Sequence, residues 1–512
     1  MADNGKETRK RMNQGRFMKI WIPIISVLFV LCLVVTIVLN NMTQTMDSFF
    51  GKGERHIVNA ENTQTWDLEY YDVKETDSRK SEANAEEVAR KVADEGSILL
   101  KNNGALPLAA GREVTPFGYG YLNPQYSNIT SEYNNATQVT PASALAEKFT
   151  VNNAAVDKMN AATRVVIGPA EGTLDGTVNA LETDINLYEY DPAIYAGIES
   201  EAEGTVGIVF VTRKLGEGFD QKYDGYEDGT PHSLALTSYE KETIAFSKAH
   251  CDSTVVVLNT GNVMEVTPLM SGEYEADAVL WVGLPGSVGF SALGDLLSGA
   301  VNPSGKTADI WASDFTADPT YVNFGEFEYS NVTFMPQGYE AMVGMVPSEM
   351  THKFVNYDEG VYYGYRYYET AAELDDGFVY GTLDGKGGVT AAGAVAYPFG
   401  YGLSYSTFDR KITAYDDSGS DISVTVSVEN TSDVPGKDVV QIYYTPPYDS
   451  SFDGTYKIEK PAVTLAAFAK TDTIAAHGSD EITLTFPKEE MASYCYTHDN
   501  GNGTEGCYVL TA

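Results

Sequence analysis

Cysteine, histidine and positive charge are all scarce in this sequence, and each scarcity removes a class of function. There are 4 cysteines and 6 histidines in 512 residues. No two cysteines have CxxC spacing and the histidines are scattered, so neither a zinc site nor a thioredoxin-like motif can be assembled by spacing; no metal and no cofactor is expected. Lys and Arg number 34 against 72 Asp and Glu, a formal net charge of -38. Such a surface repels phosphate backbones and anionic headgroups alike, which excludes nucleic acid as a partner. What is present is an ordinary 43% hydrophobic content. Spread over this length it is more than one core usually holds, so two or three globular domains are expected.

The one long apolar run, Ile20 to Leu39, is about twenty residues, enough at a rise of about 1.5 Å per residue to cross a bilayer core. Lys6, Arg9, Lys10, Arg11, Arg16 and Lys19 precede it against only Asp3 and Glu7. By the positive-inside tendency residues 1–19 are a cytoplasmic basic segment, 20–39 a single-pass anchor in the cell membrane, and everything after Asn40 extracellular. A cleaved signal peptide fits less well, because the run exceeds a typical apolar region of that kind and no small-x-small cleavage site follows. Outside the cell, Cys495 and Cys507 gain interest, since they flank the turn-rich stretch His498–Gly506 between two apparent strands. A hairpin disulfide and a pair of thiols are both open there.

Residues 40–84 are polar and aperiodic and are expected to be a tether. Ala85, Val88, Ala89 and Val92 then recur at helical spacing, Gly96 supplies a stop, and Ser97–Leu100 reads as a strand. Val206–Val211, Thr254–Leu258 and Ala278–Val282 are short, β-branched apolar runs, the pattern of buried parallel strands. Between the first two, Thr237 with Glu240 three residues on forms a capping box for a crossover helix over Ser238–His250. A further helix, Ser291–Leu297, stops at Gly299. The repeated strand, loop and helix imply an α/β domain with a mostly parallel sheet, whose ligands sit beyond the carboxyl ends of its strands. Past Arg410 the style changes: Ile422, Val424, Val426 and Val428 alternate with polar residues, and strand-like runs follow at Val439–Tyr444 and Glu481–Phe486. That is an immunoglobulin-like β-sandwich over 411–512, expected to be incomplete by a closing strand.

The first parallel strand runs into Thr212-Arg213-Lys214-Leu215-Gly216-Glu217-Gly218-Phe219-Asp220. Glycines on each side of Glu217 permit a tight turn and leave room for a ligand near the backbone, although acidic residues between glycines are also common in surface turns. Gly283, Gly286 and Gly289 lack the GxGxxG and GK[ST] patterns of phosphate cradles and read as a structural strand-to-helix turn. The aromatics of Tyr357–Tyr368 could stack on sugar rings or build a core.

Taken together these segments resemble the C-terminal α/β sandwich domain of glycoside hydrolase family 3, the β-glucosidase-like enzymes. The match runs from about Glu86 to Phe408, within a domain expected over 85–410, and is carried by ARKVADEGSILLKNNGALPL (Ala89–Leu108), RKLGEGFD (Arg213–Asp220), VVVLNTGN (Val255–Asn262), Ala278–Pro285, Asn302-Pro-Ser-Gly-Lys306, EGVYYGYRYYE (Glu359–Glu369) and PFGYGLSYSTF (Pro398–Phe408). Val424–Tyr444 similarly resembles the fibronectin type III-like domain that follows this sandwich in many members. The resemblance implies a retaining hydrolase acting on an oligosaccharide or glycoside, with Glu217 as general acid/base and Arg213 and Asp220 either touching a leaving-group sugar or serving as structural ion-pair residues. It also implies a (β/α)8 barrel carrying the nucleophilic aspartate, for which residues 1–84 leave no space. Asp314, inside the sandwich match, is expected to be structural. A barrel-last arrangement, with the barrel supplied by a downstream or separate polypeptide, is one expectation; a membrane-anchored, non-catalytic carbohydrate-binding or assembly module is the other.

Overall fold

A computed structural model gives the fold and describes residues 14–41, 75, 77–127, 138–168, 186–214, 225–321, 323, 327–334, 350–446, 458–499 and 505–509. The chain forms two compact units, the first comprising residues 1–73, 173–181 and 328–353 and the second the remainder. Within the first, Gln14–Asn41 is one helix, α1, with Pro23 inside it. Its stretch Phe17–Ile37 is long and apolar enough to cross a membrane, and none of it is buried in the protein. A proline removes one helical hydrogen bond, a loss that membrane helices tolerate.

In the second unit the chain runs α2 (Ser78–Gly96), β1 (Ile98–Asn102), β2 (Glu113–Phe117), α3 (Tyr119–Leu122), α4 (Pro141–Lys148), β3 (Thr150–Val151), β4 (Val165–Ile167), β5 (Leu187–Glu189), β6 (Val206–Thr212), α5 (Ser238–His250), β7 (Ser253–Asn259), β8 (Ala278–Trp281) and α6 (Ser291–Ser298). Helix α2 begins at Ser78, inside the segment expected as tether, because the Asp77 carboxylate accepts the Arg79 N–H and caps the first turn. The capping box of α5 is formed as the sequence requires, with Thr237 and Glu240 satisfying each other's backbone N–H groups. Helix α6 ends where Gly299 turns left-handed, at φ 75°.

These strands form a six-stranded sheet in the order β1-β8-β7-β6-β2-β3. Strands β3, β2, β6, β7 and β8 run parallel, and β1 closes one edge antiparallel to β8. β6 and β7 are buried along nearly their whole length, which is why they read as continuous apolar runs instead of alternating ones. One core packs against both faces, drawing in Leu99, Leu145, Phe210, Ile244, Leu258 and Leu296. Lys101 lies fully buried within it, its ammonium held by the carbonyls of Leu269 and Met270 and by Glu275 at 2.7 Å.

Beyond Phe408 the described elements are strands apart from a short 3-10 helix at Lys488–Met491. Phe408–Asp416, Asp421–Asn430 and Ser479–Pro487 make one antiparallel sheet, and Val439–Tyr444 pairs with Thr464–Lys470 in another. Ile422, Val424, Val426 and Val428 point inward to a second core with Val440, Leu484 and Phe486, which accounts for the strict alternation of that strand. Lys437 and Lys470 both reach Glu95 at the end of α2, and the Asn302 amide donates to Ser406 Oγ and the Pro435 carbonyl, so polar contacts join this sandwich to the α/β layer. A last hairpin sets Cys495 directly opposite Cys507 in register.

Candidate active site

Strand order fixes where a cleft can open. From β2 the chain leaves towards β3 on one side, whereas from β6 it proceeds through α5 to β7 on the other. The two following connections diverge, and beyond the carboxyl ends of β2 and β6 they leave a crevice, the usual ligand position in an open α/β sheet.

That crevice is a cavity of about 710 Å³. Its floor begins at Gly118, which has φ 91° and lies so close to β6 that a Cβ there would sit 2.5 Å from the Phe210 carbonyl oxygen. The close approach lets α3 start at once and present Tyr119 and Tyr121 to the cavity. Asn259, at the end of β7, stitches the floor together: its amide donates to the carbonyls of Gln125 (2.9 Å) and Gly283 (2.7 Å) while its Oδ1 accepts the Gln125 N–H (2.7 Å). This is the asparagine of the VVVLNTGN segment, and its buried amide holds three loops at one point.

The opposite wall is the β4–β5 hairpin, paired from Val165↔Glu189 to Ile167↔Leu187. It contributes Arg164, Asn186 and Tyr188 to the lining. The Arg164 guanidinium lies 4.3 Å over the Tyr188 ring and 3.4 Å from the Tyr119 hydroxyl. Asn186 Oδ1 is buried and has no hydrogen-bond partner among the described residues. Thr212 and Lys214, at the end of β6, complete the wall. Among the described residues no carboxylate lines the cavity. Tyrosine faces, amides and one guanidinium offer stacking surfaces and directional hydrogen bonds to a polyhydroxylated ligand, without a charged group that would attack it.

Residues 215–224, and with them Glu217 and Asp220, lie outside the described residues. Arg213 is described, and of the two roles left open for it the geometry is that of an ion-pair residue. It is only 1% exposed. Its guanidinium is bidentate on Glu240, at 2.6 and 2.9 Å, and donates further to the carbonyls of Thr212, Ala235 and Ser233. Burial alone would lower its pKa, but the charge and hydrogen bonds of Glu240 raise it instead. No donor is turned to the cavity.

The other segments singled out by sequence fall into structural places. Asp314 caps a short helix by accepting the Thr316 N–H at 2.8 Å. The glycine turn after β8 has φ 63° at Gly283 and φ 66° at Gly286, with Gly289 packed on the Pro285 carbonyl. The tyrosine-rich segment leads into a helix, α7 (Tyr365–Leu374), whose first turn buries Tyr368 in a small core with its hydroxyl on Asp318 at 3.0 Å. The residues that the sequence reading missed are Tyr119, Arg164, Asn186 and Tyr188. The signal nearest to hand was Phe117-Gly-Tyr-Gly-Tyr121, a glycine-flanked tyrosine directly after an apolar strand.

Comparison with known proteins gives one consistent likeness. The glycosyl hydrolase family 3 C-terminal domain matches residues 97–365. Beta-glucosidase A of Butyrivibrio fibrisolvens is 28% identical over 453 residues, covering 80% of this chain and 46% of that protein. An exo-alpha-(1->6)-L-arabinopyranosidase of Bifidobacterium longum is 28% identical over 440 residues, covering 83% of this chain and 46% of that protein. The solved structure of a beta-glucosidase from Paenibacillus barengoltzii superposes with a TM-score of 0.60 at 28% identity, over 83% of this chain and 40% of that one. The chain thus spans less than half the length of these relatives.

Proposed function

Because the chain belongs to glycoside hydrolase family 3, as its C-terminal domain, we propose that it serves a retaining, β-glucosidase-type hydrolysis of O-glycosyl bonds in which Glu217 is the general acid/base. The observation that carries this reading is the cleft beyond β2 and β6, walled by Thr212 and Lys214, which stand just before Gly216-Glu217-Gly218 in the sequence. An acid there is at the carboxyl end of a buried parallel strand, where a partly desolvated carboxyl stays protonated near neutral pH and donates to the leaving oxygen, then takes a proton from water in the second half-reaction. Tyr119, Tyr188, Arg164 and Asn186 hold the sugar on the leaving-group side, and Asp220 contacts it or orients Glu217.

Retention also needs a nucleophilic carboxylate about 5 to 5.5 Å from the acid. In this reading that nucleophile belongs to a barrel domain outside this chain, as the family resemblance implies. In the full reading α1 anchors the protein in the membrane with residues 1–19 in the cytoplasm, 40–84 forms the tether and start of α2, 85–410 is the catalytic sandwich, and 411–512 is fibronectin type III-like. The alternating inward residues of Asp421–Asn430 and the two facing sheets support that last assignment.

The test is Glu217→Gln in the protein that carries both carboxylates. Glutamine cannot donate the proton, so cleavage of alkyl glucosides, whose leaving groups need it, should fall by about 10²–10⁴-fold. Cleavage of 2,4-dinitrophenyl glucoside, whose leaving group departs as an anion, should fall far less at the glycosylation step. Equal losses on both substrates, or no loss on either, would remove Glu217 from this role.

A further inference from the structure

Behind the cleft wall lies a buried cluster that the mechanism above does not use. Glu189 closes β5 and is 3% exposed; Glu240, at the start of α5, is 2% exposed; Arg213, at the end of β6, is 1% exposed. The Glu189 carboxyl hydrogen-bonds to the Glu240 carboxyl and accepts the backbone N–H of Tyr119. Two carboxyl groups in hydrogen-bond contact cannot both be ionised without repulsion, and one guanidinium balances only one of them. A single proton makes the cluster neutral.

The elements joined at this point are those that shape the cleft. Asn186 immediately precedes β5, which carries Tyr188; α3 begins with Tyr119; and β6 ends at Thr212, two residues before Lys214. Arg213 also donates to the Ser233 and Ala235 carbonyls, beyond the far end of the Glu217 segment. The cluster therefore ties both flanks of that segment to the hairpin that forms the opposite wall.

We infer that Glu189 and Glu240 are positioning residues: buried together beside Arg213, they clasp the β4–β5 hairpin to the end of β6 and hold the cleft in the shape that the acid requires, a role that rests on the reading of Glu217 given above. Burial first, then the charge of Glu240, pushes the Glu189 carboxyl well above the usual carboxylate range, with Arg213 opposing them. The other titratable groups facing Glu189 are the phenols of Tyr190 and Tyr195, while Tyr226 faces Arg213. Both phenols beside Glu189 are raised chiefly by their own burial and stay neutral, so they do not supply the missing charge.

The proton is held more tightly when the clasp is closed than when Glu189 meets water. Its contribution is complete below the ordinary glutamate value of 4.5 and is lost as pH rises towards the raised value of the closed state. Across that window the opening constant rises about tenfold per pH unit. Glu189→Gln stays neutral at every pH and still offers a donor to Glu240, so it removes the pH dependence while keeping the clasp.

Hydrogen–deuterium exchange on the full 512-residue chain in mild detergent, from pH 5 to 8 and corrected for intrinsic exchange rates, reads this directly. In the unsubstituted protein, opening of 187–189 and 206–214 should climb by up to about tenfold per pH unit, with the centre of β7 flat as a control. In Glu189→Gln the same segments should be flat. A flat profile in the unsubstituted protein overturns the inference whether or not the variant folds, and so does a Glu189→Gln profile that tracks it. No substrate is present in the measurement, so a failure here leaves the glycosidase reading standing, and a failure of glycoside cleavage leaves the clasp standing.

Discussion

Arg213 was readable as important from its place in RKLGEGFD, but its role depended on a partner 27 positions away. The motif cannot show whether a guanidinium turns outward to a sugar or inward to a carboxylate; the start of α5 decides it. The ion pair has a measurable signature. Arg213→Met strands Glu240 and should lower unfolding stability by about 3–5 kcal/mol, whereas Glu240→Gln should cost less, because Glu189 can then ionise beside the guanidinium. Combining Arg213→Met with Glu240→Gln should cost much less than the sum of the two single changes, because neither charge is then left alone. Urea unfolding of the three variants checks this, and strictly additive losses would show that the pair is not coupled. Glu217 differs from Arg213 in that sequence proposes its role through its neighbours, Gly216 and Gly218, whereas its geometry lies outside the described residues.

Element by element, legibility followed length and burial. β6 and β7 were visible because seven consecutive residues, nearly all buried, leave an unbroken β-branched run, and α5 was visible because its capping box is a local device. β3, β4 and β5 span only two or three residues each, too few for any period to register. The hairpin that brings Arg164 and Tyr188 to the cleft was therefore not seen, and neither was the wall it makes. The start of α2 was missed for a related reason, since its first turns, Ser78–Asn84, are polar apart from Ala83 and bury nothing. Gly118 carries a prediction at this scale. With φ 91° and the Phe210 carbonyl oxygen 2.5 Å from a built Cβ, Gly118→Ala should cost at least about 1–3 kcal/mol and disturb the α3 tyrosines of the cleft. Unchanged stability in urea would show that β2 and β6 can separate at no cost.

At the scale of the whole molecule, the mostly parallel sheet followed by a strand-rich sandwich is the architecture that periodicity implied, and the family model matches the first of them, over residues 97–365. The acidic composition is reflected in how the two are joined, through the few basic residues Lys437 and Lys470 meeting Glu95. Helix α1 is proposed as the anchor, and carbonate washing of membranes should leave the chain in the pellet, whereas release into the supernatant would refute a span. The proposed division of labour also predicts that the purified 512-residue chain, assayed alone on 4-nitrophenyl β-glucoside, shows no turnover above buffer. Robust turnover by that chain would place both carboxylates within it.

The central claim is that Glu217 is the proton-transferring half of a double-displacement site, and azide reads it most directly. In the protein carrying both carboxylates, Glu217→Ala leaves space beside the glycosyl intermediate and no base to activate water, so added azide should restore turnover of an activated aryl glucoside. The product should be a glycosyl azide with the anomeric configuration of the substrate. No rescue by azide, or a product of inverted configuration, would contradict the account.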